Sequence, residues 1–225
     1  MSTVEFFFDP MCPWAWITSR WVREVADQRG LDVRWRFISL EVLNEEQLRR
    51  DAEAIARGEE PEMPAAYGPI SRLGNRFLRV AAAVRELHGN EAVGDFYTAV
   101  GEQMHPGGRS KELWEGADPD GVYDAVLAAA GVGPEVLQVL DDDRWAKIVR
   151  EESDLAIERT GEGVGTPIIT FDVDRPDESS LFGPVINRIP RGEEAVRLWE
   201  AVETVARTPG IAELKRSIRG EPRFD

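Results

Sequence analysis

Apolar positions recur along the chain in three different patterns, and their order predicts the fold. A compact apolar run at residues 4–8 predicts a buried strand. Apolar residues then recur at helical spacing from Trp14 to Val25, and Gly30 marks the expected end of that helix. Residues 31–37 alternate strictly between apolar and charged side chains, which predicts a second strand with one exposed face.

The middle of the chain shows helical patterns throughout. Helices are predicted over residues 45–57, 70–89, 91–103, 118–130, 134–140 and 145–160. β character returns at residues 168–173 and 181–185, which are predicted to pair as a hairpin. A last helix is expected to begin around Pro190.

This order of elements predicts an α/β protein with a thioredoxin-like fold that an all-helical insertion interrupts. The thioredoxin-like domain is predicted to comprise residues 1–40 and 161–225, and the helical insertion domain residues 41–160. A chain of 225 residues is long enough to bury a sizeable core, and 42% hydrophobic residues suit a soluble globular protein.

Charge and composition narrow the classes of function. The formal net charge of -15 argues against nucleic acids and anionic membranes as partners, since both would repel the chain. No apolar run approaches the length of a membrane span, and the early first strand leaves no room for a signal sequence, so a reducing cytoplasm is expected. With two histidines and one cysteine as soft ligands, no metal site is expected, and no nucleotide cofactor is predicted.

Cys12 lies where the first predicted strand gives way to the first helix. Unpaired backbone N–H groups and the helix dipole favour an anion there, so this cysteine is predicted to ionise more easily than a free thiol. Pro13 suits a first helical turn, and Trp14 offers an apolar surface beside the sulfur. Cys12 is therefore the predicted nucleophile, and the alternative is an ordinary small core cysteine.

The motif around this cysteine, Cys-Pro-Trp-Ala, differs by one residue from the Cys-x-x-Cys motif of thioredoxin-like redox proteins. The stretches FDPMCPWAWITSRWV, GVGTP, and FGPV followed by PRGEEA resemble the DsbA-like branch of the thioredoxin superfamily. The resemblance is strongest to cytoplasmic actinobacterial mycothiol-dependent reductases, which include a nitroreductase. It implies a thiol–disulfide oxidoreductase with mycothiol or another low-molecular-weight thiol as co-substrate. It also implies small disulfide or electrophilic substrates, nitro compounds among them, and leaves a homodimer open.

The resemblance further implies a proline loop opposite the cysteine. In this family a Thr-Pro pair before the third strand holds a cis proline that faces the active-site sulfur, and here that pair is Thr166 and Pro167. An X-Pro bond ahead of a strand is also a plausible place for a cis peptide. The predicted motif and groove residues are thus Pro13, Trp14, Ala15, Thr166 and Pro167.

Other residues are weaker candidates. Met11, Trp16 and His105 are proposed substrate contacts, although His105 also reads as a solvated histidine at the end of a helix. Trp14 and Trp16 alternate along one helix, so one of them is predicted to lie in the core. The tryptophans on apolar faces are predicted core residues, namely Trp21, Trp35, Trp145 and Trp199.

The departure from the family pattern is Ala15, which stands where a second cysteine would belong. Alanine cannot cleave a mixed disulfide on Cys12. Two explanations are open: a native monothiol enzyme whose resolving thiol comes from solution, or an engineered Cys-to-Ala change. The otherwise intact flanking motif favours the second explanation slightly.

Two rival functions come from other classes of protein. A kappa-type glutathione transferase or related isomerase has the same architecture, but it uses a hydroxyl near the position of Cys12 to activate a bound thiol. Thr18 and Ser19 lie too far along the helix for that role, which weakens this alternative. The second rival is a non-catalytic binding protein that kept the thioredoxin fold.

Overall fold

A computed structural model describes residues 3–218 and 220–225 of the chain. Within these residues the predicted order of elements is confirmed: strand, helix and strand come first, a series of helices follows, and two strands and a helix end the fold. Across the same residues, no helix combines the length and the apolar character that crossing a membrane requires.

The strands form one sheet. They are β1 (Thr3–Phe8), β2 (Asp32–Phe37), β3 (Ile168–Phe171) and β4 (Ser179–Phe182), and their order in the sheet is β2-β1-β3-β4. β1 runs antiparallel to β3, with Phe7 opposite Ile168. β3 also runs antiparallel to β4, which confirms the predicted hairpin.

Helices make up most of the remaining structure. They are α1 (Pro13–Arg29), α2 (Leu40–Leu43), α3 (Glu45–Ala56), α4 (Tyr67–His88), α5 (Asn90–Met104), α6 (Arg109–Trp114), α7 (Pro119–Ala129), α8 (Pro134–Leu137), α9 (Arg144–Thr160) and α10 (Gly192–Arg207). The short helices α2 and α6 were not predicted, because an element of about one turn or two shows little periodicity. The last helix begins at Gly192 rather than at Pro190.

The chain divides into two compact units. The first contains the residues up to Phe8, Cys12–Arg36 and Leu155–Asp225. The second contains Phe37–Asp154 together with the three-residue segment Asp9–Met11, which comes directly before Cys12 in the sequence. The domain boundaries expected at residues 40/41 and 160/161 stay a prediction.

Aromatic side chains fill the core of the first unit. The rings of Trp21 on α1 and Trp199 on α10 lie 5.4 Å apart, and Phe171 on β3 lies 5.3 Å from Trp199. The indole Nε1–H of Trp21 donates to the Ala195 carbonyl at 2.9 Å, so the buried polar atom is satisfied. The tryptophans predicted to be core residues are all buried, namely Trp21, Trp35 and Trp199 in the first unit and Trp145 in the second.

A buried ion pair network helps to hold β1 in place. The carboxylate of Glu5 is fully buried and lies 2.7 Å from the Arg36 guanidinium. Its other oxygen accepts a hydrogen bond from the Arg159 guanidinium, which also pairs with Glu178 at 2.9 Å. Because an unpaired buried carboxylate would be costly, these partners favour one placement of the strand that leads to Cys12.

In the second unit, side-chain hydrogen bonds tie the start of α2 to neighbouring helices. The Ser39 backbone N–H donates to Ser153 Oγ at 3.0 Å, and Asn75 Nδ2 donates to Ser39 Oγ at 3.0 Å. Arg79 Nε then donates to Asn75 Oδ1 at 2.9 Å. Ser39 and Asn75 are buried, so the chain of bonds fixes where α2 begins.

Candidate active site

Cys12 caps the N-terminus of α1. Its backbone is extended (φ -82°, ψ 111°), and Pro13 occupies the first helical position, as the sequence predicts. The Ala15 backbone N–H donates to Cys12 Sγ at 3.4 Å, and the Trp16 N–H donates to the Cys12 carbonyl at 3.0 Å. An N–H group directed at the sulfur and a helix N-terminus both stabilise a thiolate.

The loop before β3 supplies the opposite contact. Cys12 Sγ lies 3.4 Å from the carbonyl oxygen of Thr166, and the Thr166–Pro167 peptide bond is cis, as predicted. Thr166 Oγ1 donates to the Phe7 carbonyl at 3.1 Å, which ties this loop to the end of β1. A thiol donates to a carbonyl, whereas a thiolate accepts from an N–H. The sulfur therefore has a donor that suits the thiolate and an acceptor that suits the thiol.

The motif residues differ in exposure. Pro13 and Trp14 are half-buried, whereas Ala15 is fully buried and Trp16 is 3% exposed. The prediction that one of the two alternating tryptophans lies in the core is confirmed, and that residue is Trp16. The guanidinium of Arg20 lies over the Trp16 ring, 4.1 Å from its centroid. Trp14 is thus the more accessible aromatic side chain of the motif.

His105 is not the solvated helix-end histidine that one interpretation expects, and that interpretation is wrong. The side chain is buried, and its Nε2 lies 2.9 Å from the Pro10 carbonyl oxygen. Because a carbonyl only accepts, Nε2 carries the proton in this contact. Burial lowers the pKa of His105 to about 4, although the bond to Pro10 opposes the shift, so the ring is neutral at pH 7.

Asp9 lies next to the site, three residues before Cys12, but the sequence did not identify it as a site residue because Asp9-Pro10 is typical of the end of a strand. Its side chain is fully buried. Oδ1 accepts the Met11 N–H at 2.8 Å, and Oδ2 accepts the Leu40 N–H at 2.8 Å. Burial raises the pKa of Asp9 to about 7, with a smaller contribution from Glu41, and the two hydrogen bonds oppose the shift.

Gly74 on α4 leaves room for this carboxylate. A Cβ at position 74 would lie 2.6 Å from Asp9 Oδ1 and 3.0 Å from Met11 Cγ. The Asp9 oxygens are held by two backbone donors, so they cannot move aside without losing a hydrogen bond.

We therefore expect Gly74→Ala to destabilise the protein by about 1–3 kcal/mol, even though alanine favours a helix. Gly68→Ala on the same helix is the matched control, because its nearest neighbour is the flexible Arg72 guanidinium at 3.4 Å. Urea unfolding at pH 8 measures both variants. Equal stability of the two would contradict the close fit of Gly74 against Asp9.

The chemistry at this site rests on one sulfur. The chain has a single cysteine, so Cys12 can form one mixed disulfide at a time and cannot close an internal disulfide. Among residues 3–218 and 220–225, no group of three or more His, Cys, Asp or Glu side chains could hold a metal ion. Met11 and Trp16 are buried, as are Cys12 and His105, and their contact with a substrate stays a prediction.

The four-stranded sheet and the inserted helices form a thioredoxin-like fold. Its site combines an N-capping cysteine with a cis-proline loop. Residues 11–216 match the model of the Rv2466c-like family, described as mycothiol-dependent nitroreductase Rv2466c, and the chain belongs to that family. The resemblance predicted from the motifs is thus confirmed. Family membership indicates a thiol–disulfide oxidoreductase in the broad sense.

One sequence relative and two solved structures are similar to the chain over most of its length. The chain is 32% identical to the uncharacterized protein Rv2286c of Mycobacterium tuberculosis over 219 residues, which cover 96% of this chain and 82% of Rv2286c. The cytosolic disulfide reductase DsbM from Pseudomonas aeruginosa shares the fold, with a TM-score of 0.51 and 18% identity over 90% of this chain and 99% of DsbM. DsbM with GSH gives a TM-score of 0.51 at 16% identity, over 89% of this chain and 99% of DsbM.

Proposed function

We propose that this chain is a cytoplasmic thiol–disulfide oxidoreductase that works through a mixed disulfide on Cys12. The observation that carries the proposal is the N–H of Ala15 directed at Cys12 Sγ at 3.4 Å, on the first turn of α1. The mycothiol dependence of the matched nitroreductase family supports mycothiol as the co-substrate, and the cytosolic disulfide reductase DsbM supports the compartment.

In the first step, the Cys12 thiolate attacks one sulfur of a small disulfide. A bond forms between Cys12 Sγ and that sulfur, the original S–S bond breaks, and the departing thiolate takes a proton from water. The Ala15 N–H stabilises the attacking thiolate. When Cys12 is released again as a thiolate, the Thr166 carbonyl is placed to accept the proton of the resting thiol.

The second step needs a thiol from solution, because position 15 carries alanine. The thiolate of a low-molecular-weight thiol attacks the outer sulfur of the mixed disulfide, forms a new small disulfide and releases Cys12. Reduction of a nitro group to a nitroso group fits the same supply of electrons. Two thiols give up two electrons and two protons, become one disulfide, and the nitro oxygen leaves as water.

The groove that receives the substrate is proposed to include Pro13 and Trp14 on one side and Thr166 and Pro167 on the other. Pro13 and Trp14 are the half-buried residues of the motif, so part of each side chain is accessible. The Thr166 carbonyl reaches the sulfur itself. A small electrophile or disulfide that approaches Cys12 would therefore meet an apolar ring and a backbone acceptor.

The kappa-type transferase alternative gains no support from the hydroxyl groups on α1. Thr18 Oγ1 donates to the Pro184 carbonyl at 2.9 Å, and Ser19 Oγ donates to the Trp16 carbonyl at 2.6 Å. Both residues are buried, and both hydroxyl protons are directed at backbone acceptors. Neither hydroxyl is placed to activate a bound thiol.

The proposal is tested by exposing the protein to an oxidised small thiol and measuring its intact mass. We expect one adduct per chain, formed faster as the pH rises, because the thiolate is the nucleophile. Cys12→Ser is the matched control and should give no adduct. A chain that stays unmodified from pH 6 to pH 9 would instead support a non-catalytic binding protein.

A further inference from the structure

The three residues before Cys12 are held by two buried titratable side chains of the second unit. Asp9–Met11 belongs to that unit, and Met11 is joined directly to Cys12 by a peptide bond. Asp9 itself binds the Met11 N–H at one end of the segment, while His105 binds the Pro10 carbonyl in the middle. Both side chains are at most 5% exposed.

The Asp9 carboxylate works as a bridge. One oxygen accepts from Met11 N at 2.8 Å and the other accepts from Leu40 N, also at 2.8 Å. Leu40 is the first residue of α2, whose start is fixed by the hydrogen-bonded Ser39. The carboxylate thus links the backbone of Met11, the residue before Cys12, to the hydrogen-bonded start of α2.

We propose that Asp9 is a positioning residue for Cys12: its carboxylate fixes the segment Asp9–Met11, and protonation of that carboxylate loosens the segment and lowers the reactivity of the sulfur. His105 is the second anchor of the same segment. This inference rests on the proposed function, since it concerns how the same cysteine is held for disulfide exchange.

The protonation state of Asp9 determines how well its carboxyl group accepts hydrogen bonds from Met11 and Leu40. An ionised carboxylate accepts hydrogen bonds at both oxygens. In a protonated carboxyl group one oxygen carries a hydrogen, and that oxygen is a poorer acceptor for an N–H donor. One of the two bonds, to Met11 or to Leu40, is therefore weakened when Asp9 takes up a proton. Losing a hydrogen bond to a charged group releases a buried N–H and frees the segment locally.

Burial raises the pKa of Asp9 to about 7, and among the described residues the charged side chain that adds to this shift is Glu41 on α2. Burial raises the pKa of Glu41 itself, and the positive charges of Arg72 and Arg79 on α4 oppose that shift. Next to the carboxylate itself, α4 presents Gly74, and the His105 ring beside Pro10 is neutral near pH 7. Proton uptake by Asp9 therefore falls in the neutral range.

The test measures the rate of Cys12 alkylation by iodoacetamide from pH 5.5 to pH 9, with intact mass as the readout and the full chain as the sample. The wild-type profile should show an inflection near pH 7 in addition to that of the thiol. In Asp9→Asn this inflection should vanish, and the rate at pH 8 should fall about 3- to 10-fold, as the loss of one hydrogen bond predicts.

Asp51→Asn is the matched control. Asp51 is buried in the same unit and likewise accepts two loop N–H groups, from Glu62 at 3.0 Å and Met63 at 3.2 Å. Its replacement should leave the Cys12 profile within about twofold of wild type. His105→Ala should slow alkylation and keep the inflection, and His105→Gln, which can still donate to Pro10, should restore the rate.

Three results would contradict a positioning role of Asp9. A folded wild-type protein without an inflection near pH 7 overturns it, as does an Asp9→Asn profile that keeps two steps. An equal effect of Asp51→Asn also overturns it, since general destabilisation would then be the cause. The proposed function fails separately, if Cys12 of the wild-type protein reacts with no small disulfide at any pH.

Discussion

An Ala15→Cys variant is expected to expel a small thiol from Cys12 on its own. Position 15 lies one helical turn after Cys12, and its N–H already contacts the sulfur at 3.4 Å. A thiol there reaches the mixed disulfide without rearrangement and closes an internal disulfide. After a pulse of oxidised small thiol, the parent chain should keep the added mass, while Ala15→Cys should lose it and end two hydrogens lighter than its reduced form.

Ala15→Ser is the control for this experiment. Residue 15 is fully buried, so both variants add one atom to a packed position, at a cost of about 1–3 kcal/mol. The serine variant should hold the adduct as long as the parent does. If Ala15→Cys also held it, positions 12 and 15 would not be a redox pair, and the proposed mechanism would be wrong.

The second large effect is a pair of opposing pH dependences of stability. Burial raises the pKa of Asp9 from 3.8 to about 7, because protonation removes the cost of a buried charge even though it weakens one local hydrogen bond. The contribution of Asp9 to the stability of the whole fold is therefore fully present below pH 3.8 and is lost as the pH rises through 7. At 1.36 kcal/mol per pH unit this loss amounts to about 4 kcal/mol. Burial lowers the pKa of His105 from 6.5 to about 4, so its contribution is present above pH 6.5 and is lost as the pH falls through 4.

These two slopes nearly cancel between pH 4 and pH 6.5 in the wild-type chain, and single variants should reveal them. In Asp9→Asn the free energy of unfolding should rise by about 3 kcal/mol from pH 4 to pH 6.5, because the His105 dependence remains. In His105→Gln it should fall by about 4 kcal/mol from pH 4 to pH 7, because the Asp9 dependence remains.

Urea unfolding at several pH values measures both variants, and the difference between them removes the contribution of all other titrating groups. The free energy of unfolding of Asp9→Asn minus that of His105→Gln should increase steadily as the pH rises from 4 to 7. Parallel pH dependences of the two variants would mean that Asp9 and His105 keep their ordinary pKa values in the folded protein.

Much of the site follows from local sequence. A compact apolar run predicts β1, helical spacing predicts α1, and Cys12 falls between them, where the structure has the N-cap. Pro13 predicts the first helical position, because its fixed φ suits that place. These features depend on neighbours within a few residues, so a single sequence contains them.

The anchors of the segment before Cys12 do not follow from local sequence. Asp9 reads as a strand end because its partner, the Leu40 N–H, lies 31 residues away. His105 reads as a solvated helix terminus because its partner, the Pro10 carbonyl, lies 95 residues away. Burial of a polar side chain depends on such distant partners, and periodicity says nothing about them.

The contact between Cys12 and Thr166 joins residues that are 154 positions apart in the chain. During synthesis at about 5–20 residues per second, roughly 8 to 30 s separate the appearance of the cysteine from that of its carbonyl partner. Ala15, which supplies the N–H, lies only three residues after Cys12 and is synthesised with it. During that interval a nascent chain on the ribosome contains Ala15, whose N–H favours a thiolate. It still lacks Thr166, whose carbonyl accepts the proton of the resting thiol.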